Sequence, residues 1–404
     1  MALPQELIEE IIDYVGDNTP TLRACSLVAS SWVVPARRHI FRAIVVSKKT
    51  GDTGDADGVL SFIRVQRAAS IRHSVRELTI QYQNVTLPLL LAAIRSLDRL
   101  DRLSLRFLAI GMDDPARPPF HPSGKSIGKL EIFMCTIPGV HTLLELLDFF
   151  DAVSELFILH LMESAVAPDT RPAALRTYRK NTHIRCLHID NNVQGETFAA
   201  MCAKGLTSVI DEQGILTLTV RLTPLVHHLR RELVSLSSPT LQELILLVDS
   251  SPLSTPNEVI APESFSLSSC ADLESITFQF RVSLNYPLWI CAFSILATLP
   301  RTAPLSTIVV QFIFLGSERS TTQLEQELSS ALDDPGWEML GPMVRKFQSF
   351  RHAKVVLDDF VSPPWVLSVE MSDKLANRLA SLGKGIKWEV LSPDGSTACT
   401  SDNS

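Results

Sequence analysis

The sequence predicts an α/β protein in which three short N-terminal helices precede an irregular strand–helix solenoid with a parallel sheet on its concave face. Three observations predict it. Apolar residues in the first forty positions recur at helical spacing between cap and breaker signals. A pattern of an apolar residue, two others, Leu or Ile, one other and a second apolar residue then returns nine times. Apolar stretches of helical length lie between the copies.

Pro4 stands where the first turn of a helix accepts it, and Glu6 follows where a helix N-terminus favours negative charge. Leu7, Ile8, Ile11, Ile12 and Val15 form an apolar stripe too wide for one small partner helix, and Gly16-Asp17 breaks the helix. Thr19-Pro20 is a cap-then-first-turn signal for a second helix, with Leu22, Cys25, Val28 and Trp32 on its inner face. Pro35 is expected to open a third helix, turning Ala36, Ile40 and Phe41 inward and Arg37 and Arg38 outward. Three such helices bury little core, so the unit should lean on a partner or on the domain that follows.

The run LPQELIEEIIDYV, followed by TLRACSLVASSWVVPARRHIF, resembles an F-box, and closely the form common in fungal F-box proteins. The matching features are Leu3-Pro4, Glu6-Leu7, Ile11-Ile12, Leu22, Cys25-Ser26-Leu27-Val28, Trp32, and Ala36-Arg37 before Ile40-Phe41. The junction Asp17-Asn18-Thr19 is more polar than in many F-boxes. The resemblance covers about a tenth of the chain and implies docking on a Skp-type adaptor, and through it on a cullin scaffold with its ubiquitin-loading machinery. Carried over residue by residue, it implies Leu3, Pro4, Leu7, Ile8, Ile11, Leu22, Cys25 and Val28 as the adaptor-binding surface. The plainer alternative makes these helices the N-terminal cap of the repeat domain. Residues 1–46 are thus expected as the F-box-like domain, and 47–70 as a linker with the first solenoid helix.

The nine repeat copies begin at Val75, Leu100, Ile127, Val153, Ile184, Ile215, Leu241, Leu273 and Leu305, about 25 to 32 residues apart. That interval is the signature of a leucine-rich repeat, slightly long and irregular. Each copy ends in period-two alternation, as a strand with one buried face requires. Helices are expected over Leu87–Leu97, His141–Phe150, Leu225–Leu236, Leu288–Leu299 and Leu324–Leu332. Many such repeats carry Asn or Cys three residues after the last apolar position; here only Cys135 and Asn192 fall on it. The repeat domain is expected to span 71–392, less regular after 312 although Val355-Val-Leu357 and Ile386 to Val390 look like strands. The Ser-, Thr- and Asp-rich stretch 393–404 is expected to be a disordered tail.

Composition narrows the function. Of 404 residues 46% are hydrophobic and 20% charged, enough apolar surface for a sizeable core, and the net charge of -7 gives no general attraction for nucleic acid. The seven cysteines are dispersed with no C-x-x-C pair, which reads as free thiols in a reducing compartment. The N-terminus lacks a signal-peptide pattern, and the apolar run Leu288 to Leu299 is well short of the ~20 residues that span a bilayer. An intracellular residence, cytoplasmic or nuclear, without membrane association is expected.

The candidate chemical motifs fail on physical grounds. Gly124-Lys125-Ser126 resembles the end of a phosphate loop, but Pro119 stands where a glycine is needed, so an ordinary loop is expected. Gly51 to Gly58 lacks the downstream Glu of a calcium loop. His183 points away from Cys186 and His188 in a strand, and adjacent His227-His228 diverge on a helix. No metal, cofactor or catalytic residue is expected.

Outward positions of the strands are the better candidates. Arg102, Arg106, Phe133, Phe157, Leu159 and His188 are expected to bind a target protein on the concave face, with Lys129, Glu77, Glu131 and Glu155 interleaved and Ile245 and Leu247 further on. The expected function is a non-catalytic substrate-recognition subunit of a cullin-type ubiquitin ligase. The alternative is a ligase-independent repeat scaffold for protein–protein interaction.

Overall fold

The computed structural model describes residues 3–47, 58–59, 61–64, 71–111, 124–164, 182–190, 196–211, 214–222, 233–248, 266–281, 288–314, 320–333, 336–359, 367–381, 386–391 and 397–401. The chain forms two compact units. The first comprises residues 1–184, 192–198 and 208–210, and the second comprises 185–191, 199–207 and 211–404.

The first unit opens with helices α1 (Gln5–Val15), α2 (Thr19–Val28) and α3 (Ser30–Ile40). Ile8, Ile12, Leu22 and Ala36 are its buried core, with Val15, Cys25, Trp32 and Ile40 packed against them. His39 Nε2 lies 2.8 Å from Asp13 Oδ1 and ties α3 to α1. Gly16 ends α1 at φ 61, a conformation that glycine adopts without a Cβ penalty. The cap of α2 is Asn18 rather than Thr19: its side chain accepts from the Thr21 amide at 3.1 Å.

The third helix also differs from expectation. Ala29, extended at φ -160 and ψ 160, separates α2 from a helix that begins at Ser30, so Pro35 lies inside α3. Trp32 consequently belongs to α3, and Val28, at the end of α2, is exposed instead of facing inward.

The chain leaves α3 through Phe41 and Arg42 directly into the first strand, β1 (Ala43–Ser47). The expected domain border at 46 therefore falls within a strand. The unit continues with β2 (Glu77–Gln81), β3 (Asn84–Thr86), α4 (Leu87–Arg95), β4 (Arg102–Arg106), β5 (Ala109–Gly111), β6 (Lys125–Phe133), β7 (Thr136–Ile137), α5 (Val140–Asp148), β8 (Phe150–Leu159) and β9 (Met162–Glu163). The longer strands β1, β2, β4, β6 and β8 pair in parallel, each with the next in the chain. The short strands β3, β5, β7 and β9 form a second parallel sheet.

Register follows the repeat. Leu78, Leu103, Leu130 and Leu156 face one another in a buried row, and Ile80, Leu105, Ile132 and Ile158 form the next. Burying one such side chain stabilises by about 1.5–3 kcal/mol, which makes the apolar side of each strand dependent on its neighbours. Between each long strand and its short successor stands one residue in the left-handed region: Tyr82, Phe107, Met134 and His160, at φ 55, 53, 49 and 54. Each turns the chain from the first sheet to the second. The Tyr82, Phe107 and Met134 amides donate to the carbonyls of Arg106, Phe133 and Leu159 at 3.1, 2.9 and 2.9 Å, which fixes the turn rung by rung. Cys135, on the expected Asn/Cys position, donates from Sγ to the Leu105 carbonyl at 3.3 Å. Asn192 lies outside the described residues.

The second unit, from Arg185 of β10 (His183–Asp190) onward, is a further parallel ladder with β11 (Thr217–Leu222), β12 (Glu243–Val248), β13 (Ser275–Arg281), β14 (Thr307–Phe314), β15 (His352–Asp359) and β16 (Lys387–Leu391). Between them stand α6 (Glu196–Val209), α7 (Leu288–Ala297), α8 (Thr321–Leu332), α9 (Gly336–Val344) and α10 (Val369–Ala380). Leu187, Leu218, Leu244, Ile276, Ile308, Ala353 and Trp388 form one buried row within this unit, so its ladder persists beyond 312 with Ala and Trp in the Leu slot. The expected disordered tail contains a strand, β17 (Thr397–Ser401), antiparallel to β16.

All nine sequence copies fall on strands of these ladders, β2, β4, β6, β8 and β10 to β14. Helix ends shift slightly: α5 stops at Asp148, and Phe150 opens β8. Of the expected helix at 225–236, residues 233–236 are helical and the rest lie outside the described residues. Among the described residues no helix is long and apolar enough to cross a membrane.

Candidate partner-binding surfaces

Two surfaces in the first unit gather the residues that the sequence singled out. On the three-helix bundle, Leu3, Leu7 and Ile11 are 50%, 45% and 40% exposed, and Pro4 and Val28 are exposed as well. The spacing of four places Leu3, Leu7 and Ile11 along one flank of α1 and its entry. Ile8 and Leu22 do not share this surface: they are buried in the bundle core, and Cys25 packs half-buried against it. Tyr14 and Val34 are exposed apolar residues that the sequence reading did not single out, and Leu27, part of the F-box resemblance but not of the expected adaptor-binding set, is exposed too. Tyr14 follows Ile11 by three residues, so helical periodicity could have found it.

The second surface is the outward side of the sheet. Gln81, Arg106, Phe133 and Leu159 form one transverse row, Thr79, Ser104, Glu131 and Phe157 the next, and Glu77, Arg102, Lys129 and Glu155 a third. The structure therefore brings together five of the six expected target-binding residues. Arg106 is already held, by Glu131 at 2.9 Å and by Ser104 Oγ at 2.9 Å. Lys129 Nζ stands 4.1 Å from the centre of the Phe157 ring. Arg102 is exposed, 4.0 Å from Glu77. His188 lies in the second unit, half-buried on β10, in register with Thr219 and, beyond it, Ile245.

Past the carboxyl ends of the strands lies a ledge that the sequence reading missed. Tyr82 stacks on Phe107 at 4.7 Å, Phe107 meets Phe133 edge-on at 5.2 Å, and Phe133 meets His160 at 6.1 Å. Tyr82, Phe107, Met134 and Met162 line an open groove of about 270 Å³ together with Asn84 and Thr136. The signal was present: Tyr82, Phe107, Met134 and His160 each stand two residues after the last apolar residue of a repeat copy. Beneath the ledge Gln83 is buried with its amide unpartnered among the described residues, against Gly58.

Among the remaining candidates, Lys125 has structural contacts. Lys125 opens β6 instead of lying in a loop, and its ammonium donates to the Ile94 and Arg95 carbonyls at 2.9 Å each and to Leu97, at the end of α4. Burial lowers its pKa, Asp98 opposes that, and Arg95 adds to it. Burial pushes the Cys135 and Cys270 thiols up to about 11. Cys25, Cys135, Cys186, Cys202 and Cys270 are free thiols. No group of three or more His, Cys, Asp or Glu among the described residues could hold a metal ion. The stretch around Gly51 and the pair His227-His228 lie outside the described residues. No family model matches the chain, and no curated protein matches it.

Proposed function

We propose that this chain is a non-catalytic substrate-recognition subunit of a cullin-type ubiquitin ligase. Its F-box-like helices dock on a Skp-type adaptor, and a leucine-rich-repeat-like solenoid presents the outward sheet face to a target protein. The observation that carries this reading is the division of labour within α1. Ile8 and Ile12 build the bundle core, while Leu3, Leu7 and Ile11 stay exposed although nothing in the bundle requires apolar side chains there. Burying each at an interface is worth about 1.5–3 kcal/mol, so together they supply the affinity expected of a stable docking site.

The test is retention of the full chain on the purified adaptor, with a Leu7→Asp/Ile11→Asp variant alongside. Retention by the wild type and its loss in the folded variant is the expected result; equal retention by both sinks the docking claim. A second reading has its own support. The passage from α3 into β1 makes the helices continuous with the sheet, as an N-terminal cap would be. The cap reading predicts that neither protein is retained.

A further inference from the structure

We propose that the edge where the chain enters the first unit's sheet binds an acidic protein segment. Three successive stretches reach the sheet there, and each brings arginine. The last turn of α3 carries Arg37 and Arg38 and leads to Arg42, the residue before β1. The 3-10 turn Ile71–His73 carries Arg72 and leads to Arg76, the residue before β2. Arg99 lies between α4 and β4, and Arg102 begins β4. All seven side chains are exposed.

The backbone fixes them side by side. The Arg76 amide donates to the Arg42 carbonyl at 2.8 Å, and the Asp101 amide to the Arg76 carbonyl at 2.8 Å, so Arg42 and Arg76 sit about 4.8 Å apart along the sheet. Cations that close repel unless an anion lies between them. Arg37, Arg38 and Arg42 also stand at the negative end of α3, and Arg38 lies 3.6 Å from Glu9, whereas Arg76 follows no α-helix end. The acids at this edge are already engaged: Asp98 holds His73 at 2.7 Å and Arg72 at 3.9 Å, and Glu77 lies 4.0 Å from Arg102. Asp101 is the exception: it is exposed, with its carboxylate beside Gly128, and sets a single anion among these arginines. Arg42, Arg76 and Arg99 make no ion pair among the described residues.

Complementarity therefore asks for carboxylates, which the planar guanidinium fork takes two oxygens at a time. A long polyanion fits less well, because the chain as a whole carries -7 and would repel it outside this edge. The inference names a class of target for the proposed receptor and rests on that reading only for its biological role; the binding itself is measured without the adaptor.

The experiment is fluorescence anisotropy of the full chain with a labelled Glu/Gly peptide, the matching Gln/Gly peptide, and a single-stranded oligonucleotide, at low and high salt. Expected are binding of the Glu peptide alone, weakening with salt, and a loss of about tenfold or more in R42E/R76E. R42Q/R76Q guards against misfolding and should lose part of the affinity, while R301E in the second unit binds as the wild type does. Absent binding at low salt, undiminished binding in both double variants, or tighter binding of the oligonucleotide overturns the inference. Adaptor retention of R42E/R76E, measured in parallel, separates this failure from failure of the receptor reading.

Discussion

Lys125 shows how a residue that resembles a piece of a catalytic motif acts as structure. Its ammonium closes the end of α4 by donating to the Ile94 and Arg95 carbonyls of the last turn and to the Leu97 carbonyl just beyond it, at the helix's negative pole. Charge-assisted bonds of this kind contribute about 1.5–3 kcal/mol each before the cost of burying the cation is subtracted. Lys125→Met is therefore expected to lower unfolding stability by about 1–3 kcal/mol. The pH dependence has a definite sign. Because burial lowers the folded pKa below 10.5, the unfolded chain binds the proton more tightly. The wild type must then gain on the Met variant as pH rises toward 10.5. Paired urea titrations near neutrality and in the alkaline range check both; an equal gap at the two pH values contradicts the assignment.

At the scale of elements, the turn between the two sheets of the first unit repeats four times with a non-glycine residue in the left-handed region. Such a conformation costs an ordinary residue about 1–2 kcal/mol, and more when the side chain is β-branched. Met134→Gly removes that cost but adds backbone entropy to the unfolded chain, so its stability should stay within about 1 kcal/mol of the wild type. Met134→Val should be less stable than the glycine variant by about 1–3 kcal/mol. Denaturation midpoints of the three proteins decide it, and a valine variant as stable as the glycine variant would show that the turn is not held left-handed. The same element shows what was legible in the sequence. The strands could be read because Leu78, Leu103, Leu130 and Leu156 recur at a fixed place in a period-two segment. The place of the turns, two residues past each copy, was there to be read, but their left-handed φ was not, because Gly or Asn normally announces it and here Tyr, Phe, Met and His fill it. The break at Ala29 was hidden for a related reason: no Gly or Pro marks it, while Pro35, which looks like a helix start, sits inside α3. The F-box resemblance implies Ile8 and Leu22 as docking residues, and nothing in their apolar spacing says that they face the bundle core instead.

For the molecule as a whole, each unit's ladder makes stability collective, since the buried side of a strand exists only against its neighbours. Cys135 in the first unit and Cys270 in the second report on this, both buried and both with thiols held near 11. A raised thiol pKa means that the folded chain keeps the proton longer, so this part of the stability is complete below 9.0 and is lost as pH climbs through about 11. Near neutrality both thiols are protonated and shielded, and they react with a thiol reagent only when the surrounding structure opens. Leu130→Ala removes a fully buried side chain from β6, and Leu244→Ala does the same in β12. Each should cost about 2–5 kcal/mol. In the regime where closing outpaces labelling, opening is favoured by the same amount, and the rate rises about thirtyfold or more. Peptide-resolved mass spectrometry should show faster labelling of Cys135 in Leu130→Ala and of Cys270 in Leu244→Ala, while half-buried Cys25 reacts readily in the wild type. Unchanged rates would mean that strands in the interior of a ladder open independently of their neighbours, and the collective account of its stability would be wrong.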